Sequence, residues 1–455
     1  MGTVGINFGS ATSGNGFDVA STVSAILSIQ QGIETPWKNQ LSALQSQDTV
    51  LSALGKDLAT LTTNLQALTD FSGALSQMQG SSSDTNILGL SSADATAVAG
   101  SHTVVVSSLA STASEVSDAV KDATDTISGG ITITLADGTS QEITTDDSSN
   151  TLASFAAAIN SKDLGVTARI ISDTSGSRLS LTSNTGGSAG TFTIDSTLSD
   201  TKTGASLGFN VGQVGADAKL NVDGIDMTSA SNTITTAIPG VTFQILSANK
   251  DEPVQVVIAN DTGAIATAFS NFVNAYNAVV ADLNGQEGKD ASGAAEPLSG
   301  SSTLALIQNQ MASALLGGGA SGAISSVTQL GISVNKDGTL TLDANALSTA
   351  LNSHFADVTG FLQNAGSFGQ NFATTLNSLG SSSTQGAVAL AQQQNSAQEA
   401  ALNQSISDQE DRIAAQKVTL TTELNEANQI LQSIPQQLNE INQIYSAVTG
   451  FNQQK

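Results

Sequence analysis

The residues able to do chemistry are few. The chain has no cysteine and two histidines, His102 and His354. Thiolate zinc sites, disulfides and cysteine nucleophiles are therefore excluded. His102 heads a strand-like run, SHTVVV, and His354 lies in the helical stretch ALNSHFADV. Either could be matched to a Ser-His-Asp triad, but Ser and Asp are so abundant here that the match carries no information. GGSAG at 186–190 fits the G-x-S-x-G pattern, yet a nucleophile elbow needs a strand before it and a helix after it, and TFTI follows. SVNKDGTLTLDA at 333–344 resembles a calcium loop around Asn335, Asp337 and Gly338. Its first and twelfth positions are Ser333 and Ala344 where carboxylates belong, so it reads as a hairpin turn. Gly14-Asn15-Gly16 lacks the third glycine of a dinucleotide fingerprint, and Asp18 after it suits a helix N-cap. No metal, cofactor or enzyme activity is expected. The information should lie in surfaces.

The elements must then carry those surfaces. Over 455 residues, two to four domains are expected. Aromatic residues make up 4% and charged residues 12%, with a net charge of −25. That charge repels nucleic acid and anionic lipid, so neither is an expected partner. The first twenty residues have no basic n-region and no apolar core, so a cleaved signal peptide is not expected. No run approaches the ~18 apolar residues of a membrane span.

Periodicity changes three times along the chain. Trp37, Leu41, Leu44 and Leu51 follow helical spacing with Asp48 as a polar member. Leu54, Leu58, Leu61, Leu65 and Leu68 repeat it after a three-residue step from Leu51, like a stammer in a coiled coil. The stripe fits either a seam between helices or an amphipathic helix packed on its own domain. From about 80 to 260 the pattern is β. Strands are predicted at 102–109, 131–135, 166–171, 178–182, 192–194, 219–222, 241–246 and 254–258, with one helix over 152–160. Pro239-Gly240 suits the centre of a type II turn, with Val241, Phe243 and Ile245 on one face of the strand that follows.

Helix returns at 262–283, where Ile265, Phe269, Phe272, Tyr276, Val279 and Leu283 alternate at spacings of four and three. A further helix fits 303–316, and 331–343 reads as a hairpin. Near the C-terminus Leu420, Leu424, Ala427, Leu431, Ile434, Leu438, Ile441, Tyr445 and Val448 form a seam of about four heptads. Pro435 interrupts it, and a kink or break is expected there. Each seam leaves a stripe that one helix cannot bury. The simplest solution packs both chain ends together, with the β block inserted between them.

Several motifs, in order, resemble the bacterial flagellar filament capping proteins, the hook-associated protein 2 family. GSATSGNGFDVASTVSAIL at 9–27 is similar to the family's start through Gly16, Asp18, Val19, Ser21 and Val23, with Phe17 where Leu or Ile is usual. HTVVVSSLAS at 102–111 looks like the first head strand. The stretch 154–194 is similar to a module shared by flagellins and hook-associated proteins. NVDGIDMTSASNTITTAIPGVTFQIL at 221–246 resembles a family signature through Gly224, Pro239 and Gly240, with Asp223 replacing the usual Asn. FVNAYN at 272–277 matches through Tyr276 and Asn277, and LGISVNKDGTLTLDANALSTAL at 330–351 through Gly331 and Gly338. DQEDRI at 408–413 fits the final coil. Lys417-Val-Thr-Leu-Thr-Thr and Pro435 depart from it.

The resemblance implies an α+β multidomain chain. A coiled-coil leg, flexible when free, would come from 1–40 and 405–455, and a helical core from 41–80 and 261–404. A β-rich head would span 81–112 and 216–260, with a second one at 113–215. Leg or oligomer contacts are expected from Phe17, Val19, Val23, Ile26, Leu27, Leu54, Leu58, Leu61, Leu65, Leu68, Leu420, Leu424, Leu431, Ile434, Leu438, Ile441, Tyr445 and Val448. The resemblance further implies a homo-oligomeric ring of unspecified number at the filament tip, outside the cell, reached through the flagellar channel. Its implied partners are flagellin, an export chaperone and the hook-associated junction proteins, and in some bacteria host mucin glycans. The alternatives are a secreted adhesin with a coiled-coil stalk and β head, and another axial protein such as the hook–filament junction protein.

Overall fold

The computed structural model describes residues 16–317, 319, 322–380 and 383–450. The chain makes two compact units. One is continuous, Asp70–Thr267. The other joins the residues up to Thr69 with those from Ala268 onward. The helices are α1 (Val19–Gln31), α2 (Glu34–Thr69), α3 (Leu152–Ser161), α4 (Thr262–Gly285), α5 (Ser302–Leu316), α6 (Ala344–Ser353), α7 (Phe355–Gln363), α8 (Phe368–Leu379) and α9 (Ala387–Thr449). All but α3 lie wholly or mainly in the two-segment unit.

In the helical unit, short polar side chains start the helices. Asp18 caps α1 by accepting from Ser21 N, Ser301 caps α5, and Asp343 caps α6. The leucine stripe of α2 faces inward against α7, α8 and α9. Leu54, Leu58, Leu61, Leu65 and Leu68 are all at most 1% exposed. Their expected role as contacts to another copy is thereby corrected: a side chain sealed in its own core offers nothing to a second chain. The stripe is the amphipathic face of a helix packed on its own domain.

Aromatic rings fill the space between α4, α7 and α8. Phe361 stacks on Phe368 with centroids 4.9 Å apart, and Phe372 meets Phe272 edge-on at 5.9 Å. Tyr276 is buried beside Phe372, and that burial pushes its phenol up to about 12. Asn277 does a different job on the same helix. Its Oδ1 accepts from Leu340 N at 2.6 Å and its Nδ2 donates to Leu340 O at 2.9 Å. It thus pins to α4 the hairpin in which Ile332 pairs with Leu342 and Val334 with Leu340. Gly331 precedes that hairpin at φ +79°, and a Cβ there would meet Asp343 O at 2.6 Å.

The β unit has two hydrophobic cores. One holds Val104, Val106, Leu220, Phe243, Val254 and Val256, all at most 3% exposed. Its five-stranded sheet runs in the order Met78–Ser82, Asn249–Asn260, Gly100–Ser108, Ala218–Val222, Ile225–Ser229. Beside it lies a three-stranded sheet, Thr233–Ile238, Val241–Ile245, Leu88–Ala93. Ile238 pairs with Val241 across Pro239-Gly240, and Gly240 sits at φ +73°, as a type II turn demands. The other core lies wholly within 113–207, with Phe155 and Ile159 of α3 at its centre. Its four-stranded sheet has the order Phe209–Gln213, Ser114–Ser117, Gly176–Ser183, Val166–Asp173. Thr151 caps α3 through a reciprocal pair with Ser154.

Two boundaries differ from expectation. The resemblance puts residues 70–80 in the helical part, but they belong to the β unit, because Met78 pairs with Asn260 and Gln79 with Ala259 at the neck of the insertion. At Pro435 no break occurs: α9 runs through it from Ala387 to Thr449. Proline removes one i→i−4 bond, and the long helical stretches on both sides outlast that single loss.

Candidate interaction surface

α9 defines the surface. Its first half is covered by the chain's own α2 and α1, which run antiparallel to it. Gln392 Nε2 donates to Ser52 Oγ at 2.9 Å, and Asn395 Nδ2 to Asp48 Oδ1 at 2.8 Å. Lys38 Nζ lies 2.7 Å from Glu34 Oε2 and 3.2 Å from Glu410 Oε1. These bonds, Glu34 first, hold the Lys38 ammonium above its ordinary pKa. Further along, Phe17 N donates to Asn428 Oδ1 at 2.8 Å. Partner numbers fall on one side as they rise on the other, so polar rungs set the register at intervals along the seam. The exposed Lys38–Glu410 pair among them adds little strength.

Between the rungs lie the apolar contacts. Val23 and Leu27 of α1 are buried with Ile413, and Val19, Leu420 and Leu424 pack against them. Of the residues expected at the leg, the fold therefore brings together Val19, Val23, Leu27, Leu420 and Leu424. Phe17 and Ile26 are half-buried.

Beyond Asn428 the covering helix ends. Leu431 and Ile434 are half-buried, while Leu438, Ile441, Tyr445 and Val448 are exposed at 42%, 60%, 56% and 79%. These six occupy one face at spacings of three and four. Ile430 and Ile444 widen the stripe, and both are more than 60% exposed. Neither was anticipated, because a seam template counts only its own two positions. Their signal was present in sequence as apolar residues next to, or three beyond, seam members. An apolar surface of this length on an otherwise Asn- and Gln-rich helix is a candidate interaction site. Residues 1–15 and 451–455, also expected in the leg, lie outside the described residues.

The histidines serve local structure. His102 Nδ1 lies 2.7 Å from Asp223 Oδ2, and Asp223 also accepts from Thr103 N at 2.8 Å. His354 stands at the junction of α6 and α7, with Nδ1 3.7 Å from Asp357 Oδ2. Ser188 opens a short 3-10 turn and hydrogen-bonds Asp217. Among the described residues no group of three or more His, Cys, Asp and Glu side chains is placed to hold a metal ion, and no helix is long and apolar enough to cross a membrane.

Comparison with known proteins places these features. Family models of the flagellar hook-associated protein 2 N-terminus and C-terminus match residues 15–113 and 215–439. The interval between them is the segment that forms the second β core. The B-type flagellar hook-associated protein 2 of Pseudomonas aeruginosa is 30% identical over 373 residues, covering 76% of this chain and 78% of that protein. The flagellar hook-associated protein 2 of Escherichia coli K12 is 30% identical over 365 residues, covering 74% and 76%. The crystal structure of the D1-D2-D3 domains of the flagellar cap protein FliD from Escherichia coli superposes with a TM-score of 0.58 at 26% identity. It covers 76% of this chain and 99% of that one.

Proposed function

The chain belongs to the flagellar hook-associated protein 2 family and is a structural cap of the flagellar filament, and we propose that the open stripe of α9 is the part of it that docks on the filament. One observation carries this assignment. Among the described residues the partner helices cover α9 as far as Asn428, and the same apolar register then continues with Leu438, Ile441 and Val448 exposed at 42%, 60% and 79%. Apolar side chains exposed in register along one helix face offer that face to a second protein.

Flagellin subunits at the tip are the natural occupants, since a cap must hold the growing end while new subunits fold and insert beneath it. The two chain ends then form the leg, α2 with α4–α8 the core, and the two β cores the head. Several copies form a ring by head-to-tail contacts, since a heterologous interface with closing rotation yields one. A ring number that differs from the filament's own symmetry leaves some legs poorly docked and lets the cap advance stepwise. The absence of cysteine suits transit through the export channel as an unfolded chain, with a chaperone covering the stripe before assembly.

Replacing Leu438, Ile441 and Val448 together by serine tests the assignment. The expected result is a folded protein that no longer retains flagellin at the tip, so that cells shed flagellin into the medium and lack filaments. Normal filaments with the triple variant at their tips would overturn it.

A further inference from the structure

The second β core has an unfilled opening at its edge. Glu115 sits on an inner strand of the four-stranded sheet, opposite Leu181 on one side and Val211 on the other. The residue is only 7% exposed. Burial, and then the charge of Asp195, push that carboxyl above its ordinary pKa. A carboxyl in such surroundings ionises at a cost, and a cation or an N–H group offsets that cost.

Glu115 lines a cavity of about 170 Å³ whose other walls include Phe192, Val211 and Val214. That volume is below the roughly 300–1,000 Å³ of sites for drug-sized ligands, and suits a single side chain. Val211 and Val214 are exposed at 64% and 62%, an unusual pair of apolar groups to leave open beside an acid. Two carboxyls are fewer oxygens than a calcium ion requires. An apolar wall ending in an acid instead matches an apolar stem ending in a cation, which describes a lysine side chain.

The strand that carries Val211, Phe209–Gln213, is the edge of its sheet and pairs only with the strand of Glu115. Its outer side can accept an extended segment, and every second side chain of such a segment would fall on the face shared by Val211 and Glu115. We propose that this edge captures an extended, lysine-bearing segment of another protein, with the lysine stem against Val211 and Phe192 and its ammonium on Glu115 and Asp195.

The test uses the full chain with ¹³C-labelled valine methyls and two pentapeptides, acetyl-Thr-Thr-Lys-Thr-Thr-amide and its norleucine counterpart. The expected result is saturable shifts at Val211 and Val214, with the lysine peptide bound about fivefold more tightly, the scale of a partly screened ion pair. Glu115→Gln should erase that preference, and Asp195→Asn, at an exposed position, should reduce it. The Glu115 carboxyl should titrate at lower pH in the presence of the lysine peptide than without it. Equal binding of the norleucine peptide, or no shift at Val211 and Val214, would overturn the proposal. So would n-butylammonium binding as tightly as the peptide, since a free amine would then be the ligand and the strand edge irrelevant.

Discussion

The carboxyl of Asp282 on α4 lies near enough to that of Asp57 on α2 for the two to share a proton. Two neighbouring carboxyls attract each other only while one of them keeps a proton. Asp282 is the group whose pKa is raised, by burial first and then by the neighbouring Asp57. A raised pKa means that the folded chain holds this proton more readily than the unfolded chain does. The pair is therefore tolerated at acid pH and costs stability once the pH rises above about 4. Asp282→Asn should stabilise the helical unit at pH 7 by about 0.5 kcal/mol, a modest figure because solvent screens a partly exposed pair. Urea melts at pH 7, 5 and 3.5 check the sign: the gain must shrink toward acid, and a gain that grows there is incompatible with a shared proton.

Leu58 and Ile441 should behave as opposites, although both belong to helical seams. Leu58 is fully buried, and Leu58→Ala should cost about 2–5 kcal/mol at any protein concentration. Ile441 is 60% exposed, and Ile441→Ser should change the stability of the free chain by less than about 0.5 kcal/mol while weakening attachment to filaments. Thermal melts paired with a co-sedimentation assay separate the two.

These two residues also show how far the sequence could be read. Strands such as Val166–Asp173 and Gly176–Ser183 were legible because alternation and a glycine turn are local signals. The α2 stripe was legible as a helix face, but its partner was not. Leucines at spacings of three and four look the same whether they meet another chain or the chain's own α8. The first half of α9 was nearly silent for a different reason. Its contacts to α2 include Gln392–Ser52 and Asn395–Asp48, and amides and hydroxyls leave no apolar period to detect. Beyond Leu420 the seam was plain, but not which part of it α1 would cover.

Gly240→Ala should destabilise the first β core. Gly240 adopts φ +73°, and an added Cβ would lie 2.5 Å from Ala97 N and 2.7 Å from Asp94 Oδ1. Strain in the left-handed region and that clash together should exceed about 1 kcal/mol. Hydrogen exchange on strands Val241–Ile245 and Leu88–Ala93 should rise while that of α2 stays unchanged. Loss of protection in α2 would contradict a local turn effect.

Pro435→Ala should restore the missing backbone bond inside α9. An interior proline costs up to about 3 kcal/mol of helix stability relative to alanine. Amide protection on both sides of position 435 should therefore increase, with no change at the buried Leu61. Unchanged protection around position 435 would mean that neighbouring contacts, and not helix propensity, hold this stretch.

The β unit leaves and rejoins the chain on adjacent strands. Met78 pairs with Asn260, and Asp261 N donates to Gln77 O at 2.8 Å. Such a closed neck works as a splice site. Everything between its two strands can lengthen, shrink or be replaced as a cassette, while the ends it presents stay the same distance apart. Lineages facing different surroundings could exchange the inserted unit while the helical unit stays unaltered. An engineer could use the same port to mount a foreign domain at the end of a flagellum.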